Sequence, residues 1–399
     1  MKKILVVSQY FYPEQFRIND ICETWVQRGY DVTVLTGIPN YPEGNYYEGY
    51  GINARRTEEH EGIKIIRVPI VPRKKSSVMM GLNYLSFVAS ASIWKIFHKE
   101  DYDFVFIYEV SPMTQAIPAV QFAKKRKIPC YIYVMDLWPE NFEVITGIHN
   151  HFVVSSLNKM VDYIYENCSK IFTASESFKQ NIQQRNISPD KVIFWPQYAE
   201  EFYQPTTQRS ELIPQDNKIN ITFAGNIGEA QGLEILPNVG KKLKKENLNV
   251  RFNLVGNGRY KNQLLSEIQN DGLEGYFNFI DPVPAKEIPK ILCSSDFSFV
   301  SLKQSEIFSM TIPAKLQSSM ACGVPILLSA DGEVQEILAN SKAGFFSNSG
   351  DVEGLLQNLR KIVELSKAEI DKMGTLSRRY FDTYFEKKKL MDEIDQYFN

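Results

Sequence analysis

The chain has 399 residues, 44% of them hydrophobic, and 45 Lys and Arg against 47 Asp and Glu leave a formal charge of −2. That length supports two domains with separate cores, and the composition excludes a disordered or collagenous chain. Near-neutrality excludes general nucleic-acid binding, which shows as a basic excess on one face, so any basic patch must be local.

Five cysteines (Cys22, Cys130, Cys168, Cys293, Cys322), odd in number and without a C-x-x-C pair, exclude a disulfide framework. They suit a reducing compartment and read as packing residues. "MKKILVVSQYFYPE" begins with two lysines and an apolar run of only four, Ile4 to Val7. It reads as a first strand rather than a signal peptide, which gives a cytoplasmic expectation.

"DVTVLTG" and "KIIRVPI" are the next strand-like runs. Arg73 to Lys99 follows, with no charge between Lys75 and Lys95, and is about a bilayer long. Asn83 and five serines make it a poor spanning helix. It reads either as a half-buried helix of an α/β domain or as a peripheral membrane contact. In the second case Arg73, Lys74 and Lys75 meet anionic headgroups, with Met79, Met80, Leu82 and Tyr84 close behind.

"DFVFIYEV", "PCYIYVMD", "KIFTAS" and "KVIFWPQ" complete a first series. Short unbroken runs of Val, Ile, Phe and Tyr separated by helical stretches predict a doubly wound parallel sheet over residues 1–200. Carboxylates at strand carboxyl ends face the ligand side of such a sheet, which singles out Glu109 and Asp136. Glu14, Arg17 and Asn19 follow the first strand in the equivalent place. Trp138 suits a sugar face, or equally a core position beside a helix cap. "DYD", Asp101–Asp103, precedes its strand and reads as strand-leading polar residues rather than a D-x-D metal site. Four histidines, including His149 and His151, are too few for a convincing metal site.

Polar, proline-containing sequence marks a linker at 201–217. A second alternating series, "INITFAG", "VRFNLVG", "YFNFID", "DFSFVSL", "VPILLS" and "GFFS", predicts another α/β domain over 218–375. Two such domains would face a cleft at the carboxyl ends of their sheets. The final stretch is helical, with an apolar stripe of Tyr380, Phe381, Tyr384, Phe385, Leu390 and Ile394 that something must cover.

Three turns in the second series carry the anion-binding signal. Gly225, Gly228 and Gly232 lie between a strand and a helix, where backbone N–H groups and a helix start attract an anion, yet no Lys or Arg is present. "LVGNGRYKNQL" repeats the pattern around Gly256, with Arg259 and Lys261 available. Neither turn has the full G-x-G-x-x-G fingerprint, which disfavours a nicotinamide dehydrogenase. In "SLKQSEIFSMTIPAKLQSSMACGVPILLS", Pro313 suits a first helical position and the N–H groups of Met310, Thr311 and Ile312 are expected at a helix start. A helix start alone contributes roughly 0.3–1 kcal/mol to an anion, too little for a diphosphate. The positive charge is therefore expected from Lys303, Lys315 and Arg259 on neighbouring loops.

Together "SQYFYPEQFRINDI", "LTGIPNYPEG", "LNYLSF", "DLWPE", "FAGNIGEAQGLE", "GNGRYK" and "FSMTIPAKLQS" resemble, from residue 4 to beyond 330, the retaining glycosyltransferases of the GT-B fold. That family is typified by glycogen synthases and mannosyltransferases, and the chain is similar to its WbuB-like branch of fucosamine transferases. The resemblance implies an α/β architecture of two Rossmann-like domains facing an interdomain cleft, with helix 376–399 crossing back to the first. It implies a UDP-sugar donor, an N-acetylated deoxyhexosamine, held by the second domain. The base would lie near Asp281 and Val283, and the diphosphate between Gly225–Gly228 and Met310–Ile312.

The implied acceptor is a polyprenyl-diphosphate-linked saccharide of surface polysaccharide (O-antigen or capsule) synthesis. It would sit against the first domain on the inner membrane face, where Asp136 matches the family aspartate. No protein nucleophile, metal or cofactor is implied, because the departing phosphate takes the acceptor's proton. The chain departs from the family at Asn226 and Gln231, in place of Arg and Lys, and at Met310 and Ser318, in place of two glutamates. Met135 stands where a histidine usually precedes the aspartate. Glu306 is then the nearest acidic substitute, and Lys315 the leading candidate for leaving-group stabilisation. A UDP-sugar epimerase of similar fold and a degenerate binding or scaffold subunit remain the alternatives.

Overall fold

The computed structural model describes residues 1–74, 76–147 and 150–398. It divides into two compact units. The first comprises Met1–Ala174 and Phe178–Phe194; the second comprises Ser175–Ser177 and the chain from Trp195 onward.

In the first unit, β1 (Lys3–Val7), β2 (Asp31–Gly37), β3 (Thr57–His60), β4 (Ile63–Val68), β5 (Phe104–Glu109), β6 (Cys130–Val134), β7 (Lys170–Thr173) and β8 (Val192–Phe194) form one sheet. Its order is β3-β4-β2-β1-β5-β6-β7-β8, parallel throughout except for the β3–β4 pair. Strands covered on both faces must be apolar at every position, and Ile4 to Val7 and Phe104 to Glu109 are buried without interruption. β3 was not anticipated. Its sequence, Thr-Glu-Glu-His, is polar because it lies at the edge, and Glu61 and Gly62, both at positive φ, make the tight turn into β4.

The second unit has six parallel strands, β9 (Ile219–Ala224), β10 (Val250–Val255), β11 (Phe277–Ile280), β12 (Phe297–Ser301), β13 (Ile326–Ser329) and β14 (Gly344–Ser347). Their order, β11-β10-β9-β12-β13-β14, is the 3-2-1-4-5-6 arrangement of dinucleotide-binding sheets. Such a sheet changes winding direction between its first and fourth strands, here β9 and β12. The loops leaving their carboxyl ends therefore diverge and open a crevice. In the first unit the corresponding point lies between β1 and β5.

The stretch read as a linker is not a free tether. Ile213 is buried, the Ser210 N–H donates to Ser294 Oγ at 2.8 Å, and Arg209 donates to the Cys293 carbonyl at 2.8 Å. The C-terminal stripe belongs to two helices, Lys367–Tyr384 and Lys387–Asp395, that group with the second unit rather than the first. Phe381, Phe385, Leu390 and Ile394 are buried, and Trp195 donates to the Leu390 carbonyl at 2.8 Å. Tyr384 stays exposed. Asp103 accepts from the Lys3 N–H and Asp101 pairs with Arg126, the bracing roles expected of strand-leading polar residues.

The Lys367–Tyr384 helix braces the far end of the Ala314–Ala321 helix. Arg378 donates to the Ala321 carbonyl at 2.6 Å and Ser377 to that of Val324 at 2.9 Å. Close approach is possible because Gly374 has no side chain: a Cβ there would lie 2.4 Å from the Gly323 carbonyl oxygen. Gly374→Ala must displace backbone, an overpacking cost of about 1–3 kcal/mol that exceeds alanine's helix-propensity gain. The urea midpoint of the second unit should fall accordingly; an unchanged or raised midpoint would show that this contact does not fix the helix pair.

Candidate active site

In the second unit the loops after β9, β10 and β12 meet around one ammonium group. Gly225, at φ +146°, ends β9, and a Cβ on it would lie 2.7 Å from Lys315 Cε. A Cβ on Gly256 would lie 2.0 Å from the Gly225 carbonyl oxygen, so both glycines are required for the loops to pass each other. Gly228 and Asn226 complete the same turn, with a Cβ on Gly228 falling 2.8 Å from Asn226 Nδ2. Gly232, at φ +62°, closes it against the Leu302–Lys303 backbone, and the Lys303 N–H donates to the Ala230 carbonyl at 3.0 Å.

Lys315 rises from the first turn of the Ala314–Ala321 helix, for which Pro313 is the N-cap rather than the first helical residue. Its half-buried Nζ donates to Gln231 Oε1 and sits 4.7 Å over the Phe223 ring. Among the described residues it has no carboxylate in ion-pair range. Burial lowers its pKa from 10.5 to about 8. Of the positions that depart from the family, Gln231 meets this ammonium directly and Asn226 lines the adjoining turn. Phe223, the aromatic floor, was missed because inward strand positions are ordinarily core.

Other expected donor residues are placed differently. Met310 caps the four-residue Glu306–Ser309 helix, and the N–H groups of Met310 and Thr311 are consumed by the Ile307 and Phe308 carbonyls. They do not lie at a helix start. Ile312 is buried, and Ser318 lies one turn beyond Lys315. Lys261 is not available either: it donates to the Gly256 carbonyl at 3.1 Å and pairs with Asp281 at 2.9 Å. Val283 packs on Val255 and Ile280. Lys303, Arg259 and Glu306 stand exposed.

In the first unit, acids gather at the ends of β1, β5 and β6. Asp136 accepts from the Ser111 N–H at 2.7 Å, and Ser111 Oγ accepts from Trp138 Nε1 at 3.1 Å. Glu109 is fully buried; burial first, then the Asp136 charge, raises its carboxyl well above the ordinary carboxylate range. The Arg17 guanidinium acts electrostatically on the Tyr108 and Tyr133 hydroxyls in this region. Glu14, expected to face acceptor, is instead buried and braces a loop, its Oε1 accepting from the N–H groups of Asn40 and Tyr41, each at 2.7 Å.

The expected basic membrane patch is also revised. Arg73 is half-buried, with its guanidinium 5.4 Å from the Tyr41 ring centroid and its N–H on Asn40 Oδ1. Met79 and Met80 are half-buried, Lys74 is exposed, and Lys75 and His149 lie outside the described residues. The Ser77–Phe97 helix turns Val78, Leu82, Leu85, Ile93, Ile96 and Phe97 outward instead. Asn83 is fully buried, accepting from Gln9 and donating to the Val71 carbonyl. No helix among the described residues is long and apolar enough to cross a membrane.

Two Rossmann-like units, one with a cation over glycine turns and the other with carboxylates at its strand ends, define a sugar-transferring enzyme of the GT-B fold. Residues 204–377 match the family described as glycosyl transferases group 1, and residues 15–197 match the glycosyl transferase 4-like domain. Each half of the chain thus matches a glycosyltransferase domain family. It is 25% identical, over 98% of both chains, to a putative colanic acid biosynthesis glycosyl transferase, WcaI, of Escherichia coli K12. Among solved structures it resembles sucrose-phosphate synthase from Thermosynechococcus elongatus, with TM-score 0.76, 14% identity, and coverage of 100% of this chain and 98% of that one. It also resembles Anabaena Alr3699/HepE in complex with UDP and glucose, with TM-score 0.69, 14% identity, and coverage of 99% of each chain. These likenesses show the fold.

Burial raises the Glu14 pKa from 4.5 to about 7 against the opposing backbone hydrogen bonds. A carboxyl that holds its proton more tightly when folded adds stability that is fully present below about pH 4.5 and lost as pH rises through about 7. First-unit stability should therefore fall between pH 5 and 8, Glu14 contributing at most about 3 kcal/mol of the change. Glu14→Gln keeps an oxygen for both N–H groups and should make the slope shallower. An identical slope in that variant would remove Glu14 as its source.

Proposed function

We propose that the chain is a retaining, metal-independent glycosyltransferase of the WbuB-like branch, moving an N-acetylated deoxyhexosamine from a UDP-sugar to a polyprenyl-diphosphate-linked saccharide. Assignment of the WcaI relative to colanic acid biosynthesis supports a role in bacterial surface polysaccharide synthesis. The UDP complex of the HepE neighbour supports the nucleotide. The second unit takes the donor and the first takes the acceptor, at the inner face of the cytoplasmic membrane.

The observation that carries this reading is the desolvated Lys315 ammonium over Gly225, balanced by an amide and an aromatic ring but by no described carboxylate. A buried cation without a counter-charge is costly alone and is compensated by an anionic ligand. As the bond from the anomeric carbon to the diphosphate breaks, negative charge grows on the leaving oxygen, and a preorganised ammonium beside it stabilises that charge selectively. Lys303 and Arg259, exposed nearby in sequence to the same turns, add charge when the ligand arrives. Asp136, held by the Ser111 N–H, orients an acceptor hydroxyl, whose proton passes to the departing phosphate.

Purified protein given a UDP-sugar panel and a polyprenyl-diphosphate sugar should transfer with net retention, and EDTA should leave the rate unchanged. Lys315→Met should lower UDP affinity by roughly 10–100-fold, the worth of one charge-assisted hydrogen bond, while melting no lower than wild type because a desolvation cost disappears. Wild-type UDP affinity should weaken from pH 7 to 9 as the ammonium titrates near 8 in the free protein, and the variant should lose that dependence. Equal activity in wild type and variant would reject the phosphate assignment.

Peripheral membrane contact is the remaining element of the proposal, supported by the outward apolar side chains of the Ser77–Phe97 helix beside exposed Lys74. Replacing Lys74 and Lys75 with Glu should reduce co-sedimentation with anionic vesicles by severalfold, the effect of removing two interfacial cations. Unchanged sedimentation would remove the basic contribution.

A further inference from the structure

The first unit contains a cavity of about 430 Å³ to which no role has been given. Val78, Tyr84, Leu85, Trp138, Phe142 and Leu157 supply most of its wall, and among the described residues no charged side chain lines it. Its size is that of a small-ligand site, but its lining lacks the convergent polar groups that orient a sugar.

Ser111 also lines it, its N–H held by the Asp136 carboxylate and its Oγ by Trp138. Val78 and Leu85 line the cavity while remaining 72% and 63% exposed, so the wall they form is apolar where it meets solvent. Both share a helix face with Leu82, Ile93 and Ile96, all exposed. An apolar strip of this length left in water marks a surface that meets hydrocarbon. An uncharged cavity bordered by such a surface suits a long aliphatic chain.

We infer that this cavity binds the first isoprenoid units of the acceptor's polyprenyl chain, with the remaining chain leaving past Val78 and Leu85 along the outer face of the helix. The inference rests on the lipid-linked acceptor proposed above and adds the place where the lipid is recognised. Recognition of tail as well as head would confine transfer to membrane-borne acceptor and discriminate against free oligosaccharide, because each buried methylene adds affinity.

Gly81 provides the test. It lines the cavity, and a Cβ added there meets no heavy atom within 4 Å, so a larger side chain grows into the empty space on a helix that tolerates it better than glycine. Gly81→Leu and Gly81→Phe should melt at or above the wild-type temperature. Farnesyl phosphate binding, followed by calorimetry with inorganic phosphate as the head-only control, should be measurable for wild type and weakened roughly tenfold or more in Gly81→Phe, with Gly81→Leu intermediate. UDP affinity should not change in either. Equal farnesyl phosphate affinity in wild type and Gly81→Phe, or inorganic phosphate binding as tightly as farnesyl phosphate, overturns the inference. If the Gly81 variants lose farnesyl phosphate but wild type transfers no sugar to any prenyl-diphosphate saccharide, the cavity assignment stands and the transferase reading fails.

Discussion

A positive charge taken partly out of water, with no negative partner among the described residues, is the constraint on which the glycine turns of the second unit depend. The ammonium of Lys315 rests on the ring of Phe223 and against the amide of Gln231, a softer surrounding than a carboxylate would provide. A carboxylate in that place would cancel the charge and compete with any incoming phosphate. An amide and a π-face hold the group in position while leaving its field unspent. Glycine at 225 and 256 follows from the same requirement, since side chains there would occupy the space taken by the lysine stem and by the neighbouring loop.

Placement of that group comes from strand order rather than from any local motif. The first and fourth strands of the second sheet, β9 and β12, are neighbours whose following loops turn opposite ways, and the crevice between the loops is where such sheets bind ligands. The glycine turn leaves β9, the Lys303 segment leaves β12, and the backbone bond from Lys303 to Ala230 ties the two together. Lys315 enters over this junction from the next helix. The same order explains why the first unit gathers Glu14, Glu109 and Asp136 at the carboxyl ends of its central strands, though of the three only Asp136 is both partly accessible and held by the Ser111 N–H.

The architecture was readable because parallel strands buried on both faces must be apolar without interruption, and no other element leaves so plain a trace. All thirteen runs picked out by that rule became strands. The one strand it missed, Thr57–His60, is polar because an edge may be wetted. Glycine positions and Lys315 were legible for a related reason: both are unusual where they stand. Misreadings arose where a hydrogen bond of a few ångströms decides the outcome. Met310 and Thr311 look like a helix start only if the four-residue helix before them is overlooked, and Lys261 looks like a free cation until Asp281 is placed beside it. Glu14 is indistinguishable in sequence from a substrate-facing acid, and only the two backbone N–H groups converging on one of its oxygens show that it braces a loop.

Three groups in the two units sit in protonation equilibria that folding alone would not choose: Lys315 held low, Glu14 and Glu109 held high, each principally by burial. Each is a local cost set against a stability margin of only some 5–15 kcal/mol for an ordinary domain. Natural chains break local rules mainly where function demands it. Glu14 offsets its cost with two backbone hydrogen bonds, and Glu109 offsets part of its own by accepting from the Asp136 N–H. Lys315 has one amide hydrogen bond and the Phe223 ring but no counter-charge among the described residues, and a lysine that gave up its proton would no longer attract a phosphate. On the reading proposed above, its stability deficit is the one that a bound anion would remove, and the strength of that binding would be set by how much desolvation the fold has already imposed.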